Sequence, residues 1–250
     1  MITQTAIYTA EQRARLDPTR IPQHIAITPD GNRRWARKQM ENLVTGHYHG
    51  ANTLIKIVHA AKELGVKALT IYSFSTENWN RSRNEIDYLM DLIQDFLTNH
   101  CEEMKREGIR LKTIGDVNKL PEDTLKVINS VKKITGSGTQ IDMILALNYG
   151  ARDEIKRAVQ QIIEDCAAQK LSKEAITENV ISQYLDTAPW RDPELFIRTS
   201  GEKRLSNFLL WQLSYSEVYT TDVLWPDFTP DEFLEAIVDF QKRERRLGGA

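Results

Sequence analysis

The chain has 250 residues, 41% of them hydrophobic and 27% charged, ordinary values for a globular protein that exclude disorder, collagen-like repeats and a disulfide scaffold. Its 33 basic and 35 acidic side chains leave a formal net charge of −2, so no general positive field draws it to nucleic acid or anionic lipid and any anion must be held locally. The length suits one sizeable α/β domain better than two, and no repeat or low-complexity linker divides it.

In chain order, residues 1–21 read as an N-terminal extension without the apolar stretch of a signal peptide, and residues 22–250 as one domain. His24–Ile27 predicts the first strand, followed by a turn and a basic helical start. A helix is expected over Gly46–Leu64 with Leu54, Val58 and Ala61 on one side, then a strand at Ala68–Tyr72. Asn84–Glu107 carries an apolar stripe at 3.6-residue spacing, and Ser82 to Glu85 has the spacing of a capping box. Strands at Arg110–Ile114, Ile141–Leu147, Leu195–Ile197 and Ser216–Tyr219 complete the set. Thr229-Pro230-Asp231-Glu232 opens a last helix that runs toward Arg246 and stops at Gly248-Gly249. Short apolar runs alternating with long helices imply a central, mostly parallel six-stranded sheet flanked by helices. The two cysteines, Cys101 and Cys166, sit in helical stretches without metal-ligand spacing and read as reduced thiols of a cytosolic chain. No apolar run approaches the ~20 residues needed to span a bilayer.

Chemistry collects in four places. In Thr28-Pro29-Asp30-Gly31-Asn32-Arg33-Arg34-Trp35 a strand ends in a turn and a basic helix begins, a natural seat for phosphate. Asp30 beside that phosphate would be repulsive, by roughly 4 kcal/mol at 4 Å and an effective dielectric near 20, unless a divalent cation lies between them. An ordinary Asp-Gly turn with solvated arginines fits the segment equally well. Phe74-Ser75-Thr76-Glu77-Asn78-Trp79-Asn80-Arg81 packs polar groups and an indole beyond the carboxyl end of a strand, where open α/β sheets bind ligands; the bland alternative is a polar loop, and Glu85 reads as a helix cap. Arg198 to Asn207, after a strand and before an expected apolar helix, offers Arg198, Lys203, Arg204 and Ser206 to a second phosphate. Arg243-Glu244-Arg245-Arg246 reads on its own as a helix end complementing the macrodipole. Gly136-Ser137-Gly138 precedes a strand and lacks the third glycine of a dinucleotide fingerprint. Neither a Walker lysine motif nor the Asp-Asp-x-x-Asp pair of an all-helical prenyl synthase is present.

Taken in order, the motifs resemble the cis-prenyltransferase family over about residues 22 to 249. They are Asp30-Gly31-Asn32-x-Arg34-Trp35, Gly46-His47, Phe74 to Arg81, Asn148-Tyr149-Gly150, Ile197-Arg198-Thr199, Gly201-Glu202, Arg204 to Gln212, Thr221 to Phe228 and Arg243 to Arg246. The resemblance implies a homodimer that extends an allylic diphosphate, typically farnesyl diphosphate, with isopentenyl diphosphate units, each new double bond being cis. The product would be a long-chain polyprenyl diphosphate of the undecaprenyl kind, precursor of the carrier lipid for cell-wall synthesis. By the same resemblance Asp30 positions Mg²⁺, with Glu217 as a second magnesium contact. Gly31, Asn32, Arg33, Arg34 and Trp35 with His47 hold the allylic diphosphate, and Arg198, Arg204, Leu205 and Ser206 seat the isopentenyl diphosphate. Ser75, Thr76, Glu77, Asn78, Trp79 and Arg81 form a flap over the reacting carbons, Asn78 stands where the family's usual proton acceptor lies, and Arg246 completes a neighbouring subunit's site.

An oily product requires a tunnel, for which the helices over Gly46–Leu64 and Asn84–Glu107 are the expected walls, Ala51 a lining residue and Ile141 the floor. The expected setting is the cytoplasm, with transient membrane contact for product release and no nucleic-acid partner. The sequence departs from the family at Leu43, where an arginine that touches the allylic diphosphate is common, and at Arg33, Lys203, Ser200 and Ala151.

Overall fold

In the computed structural model, which describes residues 6–244, the chain runs α1 (Ala10–Ala14), β1 (His24–Thr28), α2 (Asn32–Lys38), α3 (Leu43–Leu64), β2 (Ala68–Ser75), α4 (Arg83–Arg106) and β3 (Ile109–Ile114). It continues through α5 (Glu122–Ile134), β4 (Ile141–Tyr149), α6 (Ala151–Ala167), α7 (Glu178–Tyr184), β5 (Leu195–Arg198), β6 (Glu217–Thr220) and α8 (Pro230–Lys242). The six expected strands all form. They lie in the order β3-β4-β2-β1-β5-β6, and every pairing is parallel. β1 and β4 are buried along their whole length, as near-continuous apolar runs in a sheet covered on both faces should be.

One face carries the larger core. Ile25, Ile27, Leu69, Ile71, Met143 and Leu145 meet Ile57 and Val58 of α3, Leu97 and Met104 of α4, and Phe233 and Ile237 of α8. The other face packs Ala26, Ile144, Ala146 and Phe196 against Ala151, Phe208 and Leu213. Thus β1 and β2 are followed by helices on the first face, whereas β4 and β5 are followed by chain on the second. Crevices therefore open beyond the carboxyl ends of the strands, between β1 and β5 and between β2 and β4, the topological switch points where such sheets bind ligands. Residues 7 and 8 tie the N-terminal stretch to this frame: their N–H groups donate to the Glu63 carboxylate at 2.8 and 3.0 Å, and the buried Tyr8 donates its hydroxyl to Pro230 O at 3.0 Å.

Three expectations about helices need correction. The first long helix begins at Leu43, because Asn42 caps it by accepting from Thr45 N–H at 2.9 Å, so Gly46 lies inside it. The segment after Asn207 is not helical: Ser206, Asn207 and Leu209 have φ of 51°, 62° and 45°. Asn207 instead caps α6, its carbonyl and side-chain oxygens accepting from Ala151 and Arg152 N–H at 2.8 and 2.9 Å, and those bonds win over the apolar periodicity. The last helix ends at Lys242, where Arg243 turns extended and its side chain pairs with Glu217 and Asp239. The expected stop at Gly248-Gly249, like Arg246, lies outside the described residues.

Candidate active site

Asp30 sits just past β1, beside the end of β5. Its backbone is pinned by Thr199, whose hydroxyl accepts from Asp30 N–H at 2.8 Å and donates to Asp30 O at 2.7 Å, while Asp30 O also accepts from Trp225 N–H at 3.0 Å. Gly31 then adopts φ +108°, a left-handed turn that a side chain would strain, and a Cβ there would lie 3.0 Å from both Leu224 and Ser200. This turn starts α2 and brings Asn32, Arg33 and Arg34 to the crevice.

Arg198, only 3% exposed, reaches out from the last residue of β5. Its guanidinium donates to Asp30 Oδ2 at 2.9 Å and to Ser206 Oγ at 2.9 Å, and also to Arg204 O. Arg34 donates to Ser200 O at 2.9 Å, to the Ser200 hydroxyl and to Glu202 at 3.0 Å, and lies 3.5 Å from Asp30 Oδ1. Arg204 also pairs with Glu202.

Two contiguous clefts of about 280 and 380 Å³ open here and share Pro29, Asp30, Asn32, His47, Arg81 and Arg204. The first is lined by four guanidiniums (Arg33, Arg34, Arg81, Arg204) against the two carboxylates of Asp30 and Glu202. The second adds Arg198, Ser206, Ser75, Asn78 and Tyr72. Local charge thus opposes the chain's net charge of −2.

His47 projects from α3 with its Nδ1 3.5 Å from Asn32 Nδ2 and its Nε2 3.9 Å from Glu85. Burial, together with nearby Arg81 and Arg33, pulls its pKa down from 6.5 to about 4 against the opposing pull of Glu85, so it is neutral at pH 7. Thr28 Oγ1, Asn32 Oδ1, His47 Nε2 and Arg198 Nε are all buried without a hydrogen-bond partner on the chain, and all four residues line the second cleft. Buried polar atoms are rarely left unpaired, so four around one cleft mark a place where a polar ligand completes the bonding.

Beneath the polar clefts an apolar cavity of about 100 Å³ lies between α3, α4 and the sheet. Ala51, Leu54, Ile71, Leu89, Ile93, Phe96 and Leu145 line it, and Asn32 and His47 stand at its polar mouth. Gly50 permits this arrangement. A Cβ there would meet Asn32 Oδ1 at 2.5 Å and the Trp225 ring at 2.9 Å, and Gly50 O accepts from the Trp225 indole N–H at 2.8 Å. Ala51 lines the cavity as expected. Ile141 does not; it shares the Leu145 face of β4 but lies four residues, roughly 13 Å, further from the mouth.

The structure therefore gathers Asp30, Gly31, Asn32, Arg33, Arg34, His47, Ser75, Asn78, Arg81, Arg198, Arg204 and Ser206 around the clefts. Other expected residues lie elsewhere. Trp35 turns away to donate its indole N–H to Asp227 at 2.7 Å and to pack on His49. Thr76 packs against Gly150, and Glu77 accepts from Asn207 at 2.9 Å. Burial alone would raise the Glu77 pKa, but hydrogen bonds led by that of Asn207 hold it below the usual carboxylate value. Trp79 donates to Asn148 Oδ1 at 2.7 Å and packs edge-on against Phe74, and Leu205 joins the second core. Asn78 Oδ1 accepts from Ser75 N–H at 3.1 Å, which anchors the 76–80 turn to the end of β2.

Glu217 lies far from Asp30 within the chain. It pairs with Arg243 at 2.9 Å and sits opposite Leu195 at the amino end of β5, whereas Asp30 lies beyond the carboxyl ends. Among the described residues no group of three His, Cys, Asp or Glu side chains is placed to hold a metal.

Two site features escaped the sequence reading. Glu85 does more than cap. Its N–H donates to Ser82 Oγ at 3.4 Å, but its carboxylate pairs with Arg81 at 2.9 Å and faces His47. Tyr72, read only as a strand residue, lines the second cleft, stacks on Phe208 at 4.4 Å and donates to Tyr149 O at 3.2 Å; burial, with nearby Glu77, raises its pKa. The Arg81–Glu85 spacing of four on a helix start was the available signal for the first.

Residues 28–248 match the family model described as "Putative undecaprenyl diphosphate synthase". The "Isoprenyl transferase" of Geobacillus kaustophilus is 49% identical over 92% of this chain and 89% of its own length. The one from Prochlorococcus marinus is 47% identical over 94% and 86%. Among solved structures, lavandulyl diphosphate synthase from Lavandula x intermedia, in complex with dimethylallyl diphosphate, superposes with a TM-score of 0.90 at 36% identity, covering 92% of this chain and all of that one. A "probable undecaprenyl diphosphate synthase" from Campylobacter jejuni superposes with a TM-score of 0.77 at 35% identity, covering 91% and 99%. With its all-parallel sheet and its guanidinium-lined crevice over an apolar slot, the chain belongs to the cis-prenyltransferase family of undecaprenyl diphosphate synthase type and is a prenyltransferase.

Proposed function

We propose that the chain extends an allylic diphosphate, farnesyl diphosphate in the first cycle, with successive isopentenyl diphosphate units. In each cycle the allylic carbon loses diphosphate and bonds to the terminal carbon of the isopentenyl unit, which sheds a proton to leave a new cis double bond. The product is a long-chain polyprenyl diphosphate of undecaprenyl type, which serves cell-wall carrier-lipid synthesis. The observation that carries this reading is the set of four partnerless buried polar atoms around a guanidinium-lined cleft that opens onto an apolar slot. An amphiphile with an anionic head and a hydrocarbon tail matches both halves.

On this reading the Gly31–Arg34 turn, Arg34 and His47 hold the allylic diphosphate, and Arg198, Arg204 and Ser206 hold the isopentenyl diphosphate. The neutral His47 leaves Nε2 free to donate to a phosphate oxygen while Nδ1 accepts from Asn32. Arg33 supplies charge near the place where Leu43 leaves it lacking. Asn78, a carboxamide already bonded to Ser75, positions the isopentenyl unit, and the departing proton passes to diphosphate or water.

Mg²⁺ fits at Asp30. That carboxylate is 29% exposed and has one oxygen only loosely engaged, 3.5 Å from Arg34. Mg²⁺ is commonly bound through one or two carboxylates plus substrate phosphates and waters, so the lack of a three-ligand cluster suits it. When bound it would neutralise diphosphate charge and ease departure of the leaving group. A contribution from Glu217 would have to come from a second copy in a homodimer, since the two carboxylates do not converge in one chain. Release of so apolar a product calls for transient contact with a membrane, and no helix of the described residues is long and apolar enough to cross one.

Incubation with farnesyl diphosphate, labelled isopentenyl diphosphate and Mg²⁺, followed by sizing of the organic-soluble product, tests the proposal. Asp30→Ala should lower incorporation by orders of magnitude with a retained circular dichroism spectrum. Near-normal elongation by that variant would refute the mechanism.

A further inference from the structure

At the far end of the sheet, where β1, β2, β3 and β4 begin, a separate cavity of about 520 Å³ opens. It shares no lining residue with the catalytic clefts. Lys67, Arg110 and Arg191 bring three cations to it against the single carboxylate of Asp142.

Asp142 organises the wall. Only 7% exposed, it accepts from Arg110 Nε at 2.6 Å, from Arg110 Nη2 at 2.8 Å and from the Trp190 indole N–H at 2.7 Å. One buried carboxylate thus fixes a guanidinium plane and an indole ring. With its N–H engaged, the indole has only its apolar surface to offer. The floor is His24, whose Nδ1 and Nε2 meet Arg191 O at 2.5 Å and Thr70 Oγ1 at 2.7 Å; burial pulls its pKa down to about 4, so it adds no charge near neutral pH. Lys67 and Arg191 are exposed at the rim, and neither forms an ion pair with a carboxylate among the described residues. Gathering unpaired cations in a concavity is unfavourable until an anion enters, and a guanidinium beside an aromatic wall suits a flat ring that carries phosphate. The volume lies in the usual range of small-molecule sites, about 300–1,000 Å³.

We propose that this cavity is a second ligand site, distinct from the prenyl-transfer centre, and that it takes a mononucleotide. The base lies along Trp190 and the phosphates meet Lys67, Arg191 and the free edge of Arg110. The assignment does not depend on the identity of the prenyl substrates.

The test is calorimetric titration of the full chain with ADP, with inorganic diphosphate in a parallel arm. Saturable one-to-one binding in the micromolar range is expected. Lys67→Ala combined with Arg191→Ala, both exposed positions, should weaken it at least tenfold without changing the rate of prenyl transfer or the melting temperature. Trp190→Leu should weaken ADP binding while leaving any diphosphate binding unaltered, and Trp190→Phe should restore it. No binding at millimolar ADP, or equal affinity in the double variant, would overturn the proposal. So would diphosphate binding as tightly as ADP, which would remove the role of the ring. Displacement of ADP by isopentenyl diphosphate would place the nucleotide in the catalytic cleft and overturn it equally.

Discussion

Replacing Arg198 by methionine keeps most of the side-chain bulk and removes a guanidinium from three partners at once. Its loss separates Asp30 from its strongest cation and frees Ser206 Oγ and Arg204 O. Breaking a fully buried pair costs about 3–5 kcal/mol. Here Asp30 is 29% exposed and keeps Arg34 at 3.5 Å, so the carboxylate regains solvent and the stability loss should be nearer 1–3 kcal/mol. The catalytic loss should be larger. A preorganised donor aimed at developing charge is worth about 10²–10³ in rate, and Arg198 also holds the carboxylate proposed to carry the cation. Urea unfolding gives the first quantity, and initial rates at varied isopentenyl diphosphate give the second. Arg198→Lys should recover stability better than rate, because an ammonium cannot reach Asp30 and Ser206 as a planar fork does. A fall in kcat/KM of less than tenfold in the methionine variant, with normal folding, would refute the role assigned to this residue.

Gly50→Ala should destabilise by about 1–3 kcal/mol through overpacking against Asn32 and Trp225, lower the melting temperature by about 2–4 °C per kcal/mol, and raise KM for the allylic substrate by displacing Asn32; an unchanged melt and KM would contradict the packing. Ala51→Phe should fill the apolar cavity that Ala51 lines and shorten the product, read by chromatography of the dephosphorylated chains. Acid should destabilise the fold through His24 and His47, whose pKa values drop from 6.5 to about 4. Between those pH values the unfolded chain binds the extra protons, so the stabilisation is complete above pH 6.5 and is lost toward pH 4, by about 3 kcal/mol for each histidine. Urea midpoints at pH 7.0, 5.5 and 4.5 should fall accordingly, with a shallower fall in His47→Asn.

Apolar runs were enough to place the interior strands β1, β2, β4 and β5, because a strand covered on both faces has little room for polar residues, whereas the edge strands β3 and β6 carry partly exposed polar residues and were legible only as short β-rich runs. The order of motifs located the Asp30, Ser75–Arg81 and Arg198–Ser206 segments at strand ends, and these converge because all six strands point the same way. What escaped was direction. Glu217 opens β6 and so lies at the amino end of the strands, away from Asp30, although Thr221, four residues on, accepts from Gly201 N–H at 2.8 Å beside the site. Side-chain aim was equally hidden. Trp35 belongs to the same motif as Arg34 yet faces Asp227, since one residue on a helix turns the side chain by about 100°. The apolar stretch 208–213 looked helical, but its fate was decided by Asn207 capping a helix that starts 56 residues earlier in the chain.

The size of the apolar cavity constrains how the long product proposed above can be made. About 100 Å³ is less than the ~150 Å³ in which an engineered apolar cavity binds a six-carbon ring, so the slot as it stands admits little more than the first isoprene unit. Each added unit buries about five carbons, worth roughly 4 kcal/mol at ~0.8 kcal/mol per methylene. That energy is available to part α3 from α4 at the cavity, where the facing residues (Ala51, Leu54, Leu89, Leu92, Ile93, Phe96) are apolar, against the ties that hold the two helices together on either side of it: Tyr88 to Val44 O at 3.0 Å, His59 to Glu103 at 2.9 Å and Lys62 to Glu107 at 2.6 Å. The growing chain on this view opens its own tunnel along the Leu145, Met143 and Ile141 face of β4. Elongation then ends where the next unit meets packing whose disruption costs more than its ~4 kcal/mol, which makes the residues around Ile141, rather than the diphosphate clefts, the determinant of product length.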